Sequence, residues 1–270
     1  MVKHDPHYYV KNKRYHVEVL PPKQDTAKLL ADLDLFKEKY LRVIQSGYCV
    51  CITDNAMGLM AFQGHEIIEE LNLPVHRDQV MIHLNTFHTK CDLDNILTSC
   101  KNLGIESLLI ITGDGSDRLP KLQPSDIGEP DLESVTSVEL LRYIGRNYPD
   151  TFVLGVAFNP YEPVEHEFAK MKRKIEAGAS FVVTQPIIER NVQVDRLLSE
   201  HPSIPVTVEA WMSKKLSLLS EAIGYEIPQD VEYDPMATLS MLHQIYPQCG
   251  VYLSLVGFKT QFDLVKDVWI

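Results

Sequence analysis

The alternation of short apolar runs with helical patterns is the feature that most constrains the fold of this chain. Eight runs read as β-strands, at residues 15–20, 48–53, 79–85, 107–112, 151–158, 180–185, 205–210 and 251–256. Several are apolar almost throughout, as in L-L-I-I at residues 108–111. Strands of this kind are covered on both faces, which is typical of a parallel sheet.

Helical patterns lie between these runs. Apolar residues keep a helical period over residues 29–43, 135–144, 168–179, 216–223 and 237–245, and a final helix is predicted over 262–269. Eight strand–helix units in about 250 residues predict an α/β fold, a single (β/α)8 barrel domain over residues 1–270. An open doubly wound sheet is the alternative, but such sheets often carry a glycine-rich fingerprint after the first strand. Here P-P-K follows it at residues 21–23.

The charge balance restricts the partners that we expect. Lys plus Arg number 26 and Asp plus Glu number 37, so the formal net charge is −11. Nucleic acids and anionic membranes attract basic surfaces, and we therefore expect neither as a partner. No signal peptide or apolar span is evident, and the five cysteines show no disulfide framework. These features favour a cytoplasmic protein with free thiols.

Polar residues stand at or just beyond the ends of six predicted strands in succession. They are Glu18, Thr53, His83, Asp114, Asn159 and Gln185. Because loops and side chains at the carboxyl ends of barrel strands form the ligand-binding face, this set predicts a polar binding surface. Glu18 is the most informative member, since a carboxylate in an apolar strand is costly to bury unless it is paired or functional. The alternative is that Glu18 lies on the solvated face of its strand.

Two further patterns carry weaker signals. The basic run Lys170, Lys172, Arg173 and Lys174 is either an anion contact or a solvated helix face. His83, His88 and Cys91 are spaced H-x4-H-x2-C, but no paired ligand motif accompanies them, so we predict no metal site. The chain also lacks G-x-S-x-G and a Walker loop, which leaves hydrolase and P-loop functions without support.

Five motifs, in chain order, resemble the methylenetetrahydrofolate reductase family. V-E-V-L-P-P-K at residues 17–23 resembles the family's opening strand F-E-F-F-P-P-K, and I-H-L at 82–84 resembles its H-L-T strand. G-I-E-S-L-L-I-I-T-G-D at 104–114 is similar to G-I-x-N-I-L-A-L-x-G-D, and G-V-A-F-N-P at 155–160 to the fifth strand of some branches. K-I-E-A-G-A-S-F-V-V-T-Q at 174–185 resembles K-V-D-A-G-A-D-F-I-I-T-Q and is the most specific match.

The resemblance implies a (β/α)8 barrel that reduces 5,10-methylenetetrahydrofolate to 5-methyltetrahydrofolate. Most members hold FAD and use it to pass a hydride from NADH or NADPH to the folate. The family's glutamate, aspartate and glutamine correspond to Glu18, Asp114 and Gln185, which implies a catalytic Glu18 and substrate contacts from Asp114 and Gln185. The cofactor contacts that the resemblance implies are Thr53, His83, Thr112, Gly113, Asp114, Asn159, Arg173 and Lys174.

These residue types suit the reaction. The methylene bridge must open before hydride adds, and opening needs a proton at the leaving nitrogen, which a carboxylic acid with a raised pKa can supply. Three loops depart from the family pattern, with N-T-F-H-T-K at 85–90, G-D-G-S at 113–116 and F-N-P at 158–160. They leave open a member without flavin, in which a pyridine nucleotide binds directly beside the folate.

Two other functions also stay open. One is a pterin-dependent methyltransferase that hands a methyl group to a corrinoid protein. The other is a non-catalytic, reductase-like subunit of a larger complex. A folate is the expected small-molecule partner in the leading interpretation, and either a homo-oligomer or a complex with another one-carbon enzyme is compatible with the sequence.

Overall fold

The eight strands of the described residues form a closed parallel barrel. A computed structural model describes residues 14–228 and 232–266, and its strands follow one another around the barrel in the order β1 to β8. This closure confirms the predicted (β/α)8 barrel and excludes the open sheet. Within the described residues, no helix has the length and apolar character that crossing a membrane requires.

The elements alternate along the chain as the sequence predicts. The strands are β1 His16–Val19, β2 Cys49–Ile52, β3 Val80–Leu84, β4 Ser107–Ile110, β5 Val153–Phe158, β6 Phe181–Pro186, β7 Val206–Trp211 and β8 Gly250–Ser254. The α-helices are α1 Leu29–Gln45, α2 Gly64–Glu70, α3 Lys90–Leu103, α4 Ser137–Asn147, α5 Val164–Glu176, α6 Val192–Glu200, α7 Leu216–Ile223, α8 Pro235–Ile245 and α9 Phe258–Val265. Short 3₁₀ turns occur at Ala56–Gly58 and Pro124–Ile127.

All eight predicted strands are confirmed, whereas the helices differ in detail. The predicted final helix begins earlier, at Phe258, and residues 267–269 of that prediction lie outside the described residues. The sequence analysis did not identify α2, α3 and α6. Helix α3 begins at a capping box, in which Thr89 accepts a hydrogen bond from the backbone N–H of Asp92, and ends at left-handed Gly104.

The described residues divide into two compact units. The first unit contains residues 14–18, 157–172, 180–228 and 232–266, and therefore most of β1, the end of β5, and β6, β7 and β8. The second unit contains residues 19–156 and 173–179, and therefore β2, β3, β4 and most of β5. Whether the chain forms one barrel domain over residues 1–270 stays a prediction.

Each unit has its own buried apolar residues. In the second unit every residue of β2 and β3 is buried, which is the pattern expected of strands covered on both faces. In the first unit a cluster beside β7 joins the strand to α7 and the segment that follows it. Its buried members are Trp211, Leu216, Leu219, Ile223, Ile227 and Tyr233.

The register of three neighbouring strands in the first unit decides which side chains meet. Strand β8 lies between β1 and β7 and pairs with both. Tyr252 of β8 is aligned with His16 on one side and with Glu209 on the other. Because alternate residues of a strand share a face, Glu18, Glu209 and Ser254 project to the same side of the sheet as Tyr252.

Candidate functional site

Two carboxyl groups of the first unit, on the two strands that flank β8, project to the same face of the sheet. We call Glu18 of β1 and Glu209 of β7 the acid pair. The Tyr252 hydroxyl donates to Glu18 Oε2 at 3.2 Å, and the Ser254 hydroxyl donates to Glu209 Oε1. The backbone N–H of Glu209 donates to Thr184 Oγ1 at 3.1 Å, which ties β7 to β6. Both side chains are partly buried and held by hydroxyl groups on neighbouring strands.

Burial makes both members of the acid pair weak acids. Desolvation raises the pKa of Glu18 to about 7, although the hydrogen bond from Tyr252 opposes part of that rise. Desolvation also raises the pKa of Glu209 well above its usual value, and the nearby charge of Glu18 raises it further. The first unit therefore holds a protonated carboxyl group near neutral pH, which is the state that a proton donor needs.

Gln185 lies on β6, the strand next to β7. The pairing of β6 with β7 slips between Val183 and Pro186, and Pro186 is then aligned with Glu209. The Gln185 side chain is partly buried, and its amide has no hydrogen-bond partner among the described residues. Such an amide is free to donate to and accept from a bound ligand.

A second polar cluster lies in the second unit, around a buried aspartate. The Asp54 carboxylate accepts hydrogen bonds from the backbone N–H of Asn85 at 2.8 Å and from His88 Nε2 at 2.7 Å. Its other oxygen accepts from Asn55 Nδ2 at 3.1 Å and Gln63 Nε2 at 3.3 Å. We call these five residues the Asp54 cluster, and it fixes the segments that follow β2 and β3.

His83 and Thr53 lie at the ends of the same two strands. Desolvation lowers the pKa of His83 to about 4, against an opposing effect of Asp54, so this imidazole is neutral at pH 7. The Thr53 hydroxyl is buried and has no hydrogen-bond partner among the described residues. An unpaired buried hydroxyl is costly unless a ligand or water bonds to it, so Thr53 suits a position beside a polar cofactor.

Asp114 is exposed and already has a backbone partner. The N–H of Met57 donates to Asp114 Oδ2 at 3.0 Å, and Met57 itself is left-handed with φ of +57°. Asp114 therefore stabilises the 3₁₀ turn that follows β2, an interaction that the sequence did not suggest. Its second carboxylate oxygen has no hydrogen bond within the described residues.

Gly113 is required for a structural reason. Its φ is +85°, and a Cβ at this position would lie 2.6 Å from the Cβ of Asn85, which is fully buried. Gly128 has a similar φ of +77° but nothing within 4 Å of an added Cβ. Both glycines are left-handed, but only Gly113 lacks space for a Cβ, so comparing them separates backbone strain from steric overlap.

We predict that Gly113→Ala destabilises the protein more than Gly128→Ala. The left-handed backbone costs each alanine about 1–2 kcal/mol, and overlap with Asn85 adds about 1–3 kcal/mol at position 113 alone. Urea denaturation of both variants measures the difference. Equal losses of unfolding free energy would show that Asn85 moves aside without cost.

The remaining predicted cofactor contacts have varied surroundings. The Thr112 carbonyl accepts from the Thr86 hydroxyl at 2.8 Å. Asn159 follows β5, and its Oδ1 accepts from the backbone N–H of Tyr161 at 3.0 Å. In the basic run, Arg173 is exposed whereas Lys174 is only 6% exposed. Only Arg173 of this basic pair therefore presents its charge to solvent.

The structure supports no metal site among residues 14–228 and 232–266, since no group of three or more suitable ligands occurs there. His88, which the H-x4-H-x2-C spacing includes, is instead hydrogen-bonded to Asp54, and Cys91 is exposed. The spacing reflects a polar strand end and the first turn of α3.

Sequence reasoning missed Glu209 and Asp54. Glu209 lies in V-T-V-E-A-W at residues 206–211, so the rule that singled out Glu18, a carboxylate within an apolar strand, applies equally to it. Asp54 follows the Thr53 that was identified, and no local pattern distinguishes a buried aspartate there from an exposed turn residue. Its role depends on partners that follow β3.

We predict that Glu18 makes stability depend on pH. Its carboxyl group keeps its proton up to about pH 7 when folded but loses it near pH 4.5 when unfolded, so the folded state binds more protons between these values. Stability contributed by Glu18 is then complete below pH 4.5 and is lost as pH rises through 7. Relative to wild type, Glu18→Gln should gain stability between pH 5 and pH 8 in urea titrations. Parallel stability curves for the two proteins would contradict a raised pKa.

The protein is therefore a (β/α)8 barrel in which Glu18 and Glu209 lie in the carboxyl-terminal halves of their strands. Barrel enzymes bind their ligands at the carboxyl ends of the strands. The sequence matches the profile of the family described as Methylenetetrahydrofolate reductase over residues 3–229. The chain belongs to the methylenetetrahydrofolate reductase family, which confirms the resemblance seen in its motifs.

The curated relatives are distant and longer. Methylenetetrahydrofolate reductase 2 of Schizosaccharomyces pombe is 25% identical over 178 residues, which cover 58% of this chain and 27% of that protein. Methylenetetrahydrofolate reductase (NADH) 1 of Zea mays is 24% identical over 197 residues, covering 66% and 31%. The chain thus spans about a third or less of the length of these relatives.

Solved structures share the barrel. A Clostridium thermocellum protein that binds two copies of 5-methyl-5,6,7,8-tetrahydrofolic acid aligns with a TM-score of 0.59 at 13% identity, covering 95% of this chain and 94% of that one. 2,3-Dimethylmalate lyase, a member of the PEP mutase/isocitrate lyase superfamily, aligns with a TM-score of 0.50 at 11% identity, covering 96% and 81%. At these identities the likeness concerns the fold alone.

Proposed function

We propose that the protein is a folate-linked oxidoreductase that reduces 5,10-methylenetetrahydrofolate to 5-methyltetrahydrofolate. The observation that carries the proposal is the carboxyl group of Glu18, whose pKa is raised to about 7, in a chain that belongs to the methylenetetrahydrofolate reductase family. This reaction needs an acid that is protonated near neutral pH, and the raised pKa of Glu18 supports its proposed role as that acid.

Glu18 is the proposed proton donor. Its proton goes to the nitrogen that leaves when the methylene bridge opens, and that carbon–nitrogen bond breaks to give an iminium at the other nitrogen. One hydride then completes the methyl group, so the reaction consumes one proton and one hydride. Gln185, with its unpaired amide, is the proposed contact to the donor and acceptor edge of the pterin. Asp114 is proposed as a further polar contact to substrate or cofactor.

FAD is the proposed cofactor, with NADH or NADPH as the source of electrons. The unpaired hydroxyl of Thr53 and the neutral imidazole of His83 suit the polar edge of a flavin, and exposed Arg173 suits a phosphate. Lys174, Thr112, Gly113 and Asn159 are proposed as further contacts. When bound, the flavin supplies hydride transfer, and the protein supplies binding, orientation and the proton.

Absorbance and turnover of the purified protein test this proposal. We expect flavin absorbance, as isolated or after FAD is added, and oxidation of NAD(P)H that depends on methylenetetrahydrofolate. Turnover by a protein that stays colourless would rule out FAD as the cofactor but would still support the reductase activity. Methyl transfer to a corrinoid protein without NAD(P)H consumption would instead indicate the methyltransferase, and failure to bind either FAD or folate would indicate a non-catalytic subunit.

A further inference from the structure

The acid pair contains one more carboxyl group than the proposed reaction uses. Glu209 is not among the residues that the family resemblance implies, yet it lies in the same unit as Glu18 and projects to the same face of the sheet. A second partly buried carboxyl group therefore lies near the proposed proton donor.

The strand register places the two groups on either side of one strand. Strand β8 separates β1 from β7, and neighbouring strands are about 4.8 Å apart, so the two backbones are separated by about twice that distance. Tyr252 and Ser254 of β8 each reach one member of the pair, Tyr252 to Glu18 and Ser254 to Glu209. Each glutamate is therefore held by its own hydroxyl group on the intervening strand, on the same face of the sheet.

No positive charge balances the pair. Within the described residues, neither Glu18 nor Glu209 forms an ion pair with a basic side chain. His16, two residues before Glu18, is neutral at pH 7 because burial lowers its pKa to about 3. Two nearby carboxylates without a counter-charge repel each other, so losing the second proton costs more than losing the first.

The other titratable groups near Glu209 are also neutral or acidic. The pKa of the Tyr161 hydroxyl, in the loop after β5, is raised by burial and by the charges of Glu189 and Glu209. Tyr225 and Tyr233 act on Tyr161 in the same direction. On β8 the facing group is the Tyr252 hydroxyl, which donates to Glu18. None of these groups supplies the positive charge that would let both carboxyl groups ionise together.

We propose that Glu209 is a positioning residue that shares one proton with Glu18 across β8, so that the acid pair titrates as a unit. Its link to catalysis rests on the proposed function, in which Glu18 must be protonated. The pair holds two protons at low pH and one over a middle range. Donation to substrate leaves both groups ionised, and one proton from solvent restores the pair. Glu209 thereby extends to higher pH the range in which Glu18 is an acid.

Reciprocal carboxyl titrations test the sharing without any substrate. The side-chain carboxyl carbons of ¹³C-labelled protein are followed by NMR against pH in wild type, Glu18→Gln and Glu209→Gln. We expect the higher apparent pKa of the wild-type pair to fall by about 1 unit or more in the carboxyl group that remains in either variant. Each variant reports on the other residue, so one folded variant is sufficient. Glu221→Gln, at an exposed position of α7, is the matched control and should leave both titrations unchanged.

The pH dependence of turnover gives a second readout. In Glu209→Gln, the loss of kcat at high pH should begin at lower pH than in wild type. Suppose that the protein reduces methylenetetrahydrofolate but that the remaining carboxyl group titrates as in wild type in both glutamine variants. That result would overturn proton sharing and leave the proposed function standing. Coupled titrations in a protein without reductase turnover would support the sharing and remove the proposed function.

Discussion

Glu18→Gln is expected to lower kcat for methylenetetrahydrofolate reduction by about 10²–10⁴-fold, the range that general acid catalysis contributes. Glutamine keeps the size of the side chain and can still accept the hydrogen bond from Tyr252, but it has no ionisable proton to give. Because the substitution removes a group that acts in the transition state, KM should change far less than kcat.

Two comparisons separate proton donation from a general disturbance of the site. Glu221→Gln changes a carboxyl group at an exposed position and should retain wild-type kcat. Flavin reduction by NAD(P)H without folate needs no proton from Glu18 and should survive in Glu18→Gln. Turnover of this variant within a factor of a few of wild type would refute Glu18 as the proton donor.

The fold was predictable because its signal is local. Each apolar strand carries its own pattern, and a parallel strand buried on both faces reads the same wherever its partners lie. Helix α3 shows the limit of this reasoning. Its buried residues Leu93, Ile96, Leu97 and Cys100 keep a helical spacing, but Asp, Asn, Thr and Ser separate them and dilute the pattern. The caps at Thr89 and Gly104, which decide where this helix begins and ends, are the stronger signal.

Residues of the candidate site were predictable only where a side chain is unusual for its local sequence, such as a carboxylate in an apolar strand. Glu18 and Glu209 are both of this kind, and the second was missed although the signal was the same. That the two act on each other is not a local fact. It depends on closure of the barrel, which brings the first strand and the seventh to opposite sides of β8. Likewise, the role of Asp114 in holding the turn at Met57 arises from packing between segments that follow different strands.

Asp54→Ala is expected to lower the free energy of unfolding by about 3–5 kcal/mol. This is the typical cost of removing one partner from a buried, hydrogen-bonded polar pair such as Asp54 and His88. Asp54 is 4% exposed and accepts hydrogen bonds from Asn85, His88, Asn55 and Gln63. Alanine leaves these donors in a site that water reaches poorly, and each buried donor without an acceptor adds to the loss. Urea denaturation at pH 7 measures the effect.

The matched control is Asp25→Ala, which removes a carboxylate from an exposed pair. Asp25 accepts from Arg118 at 3.1 Å, but their side chains are 58% and 63% exposed, so the change should cost less than about 1 kcal/mol. Because both variants lose one carboxylate, a difference between them shows that burial, and not charge alone, causes the loss of unfolding free energy. A loss at position 54 no larger than that at position 25 would mean that water replaces the carboxylate, and the segments after β2 and β3 would then be held by packing instead of by the Asp54 cluster.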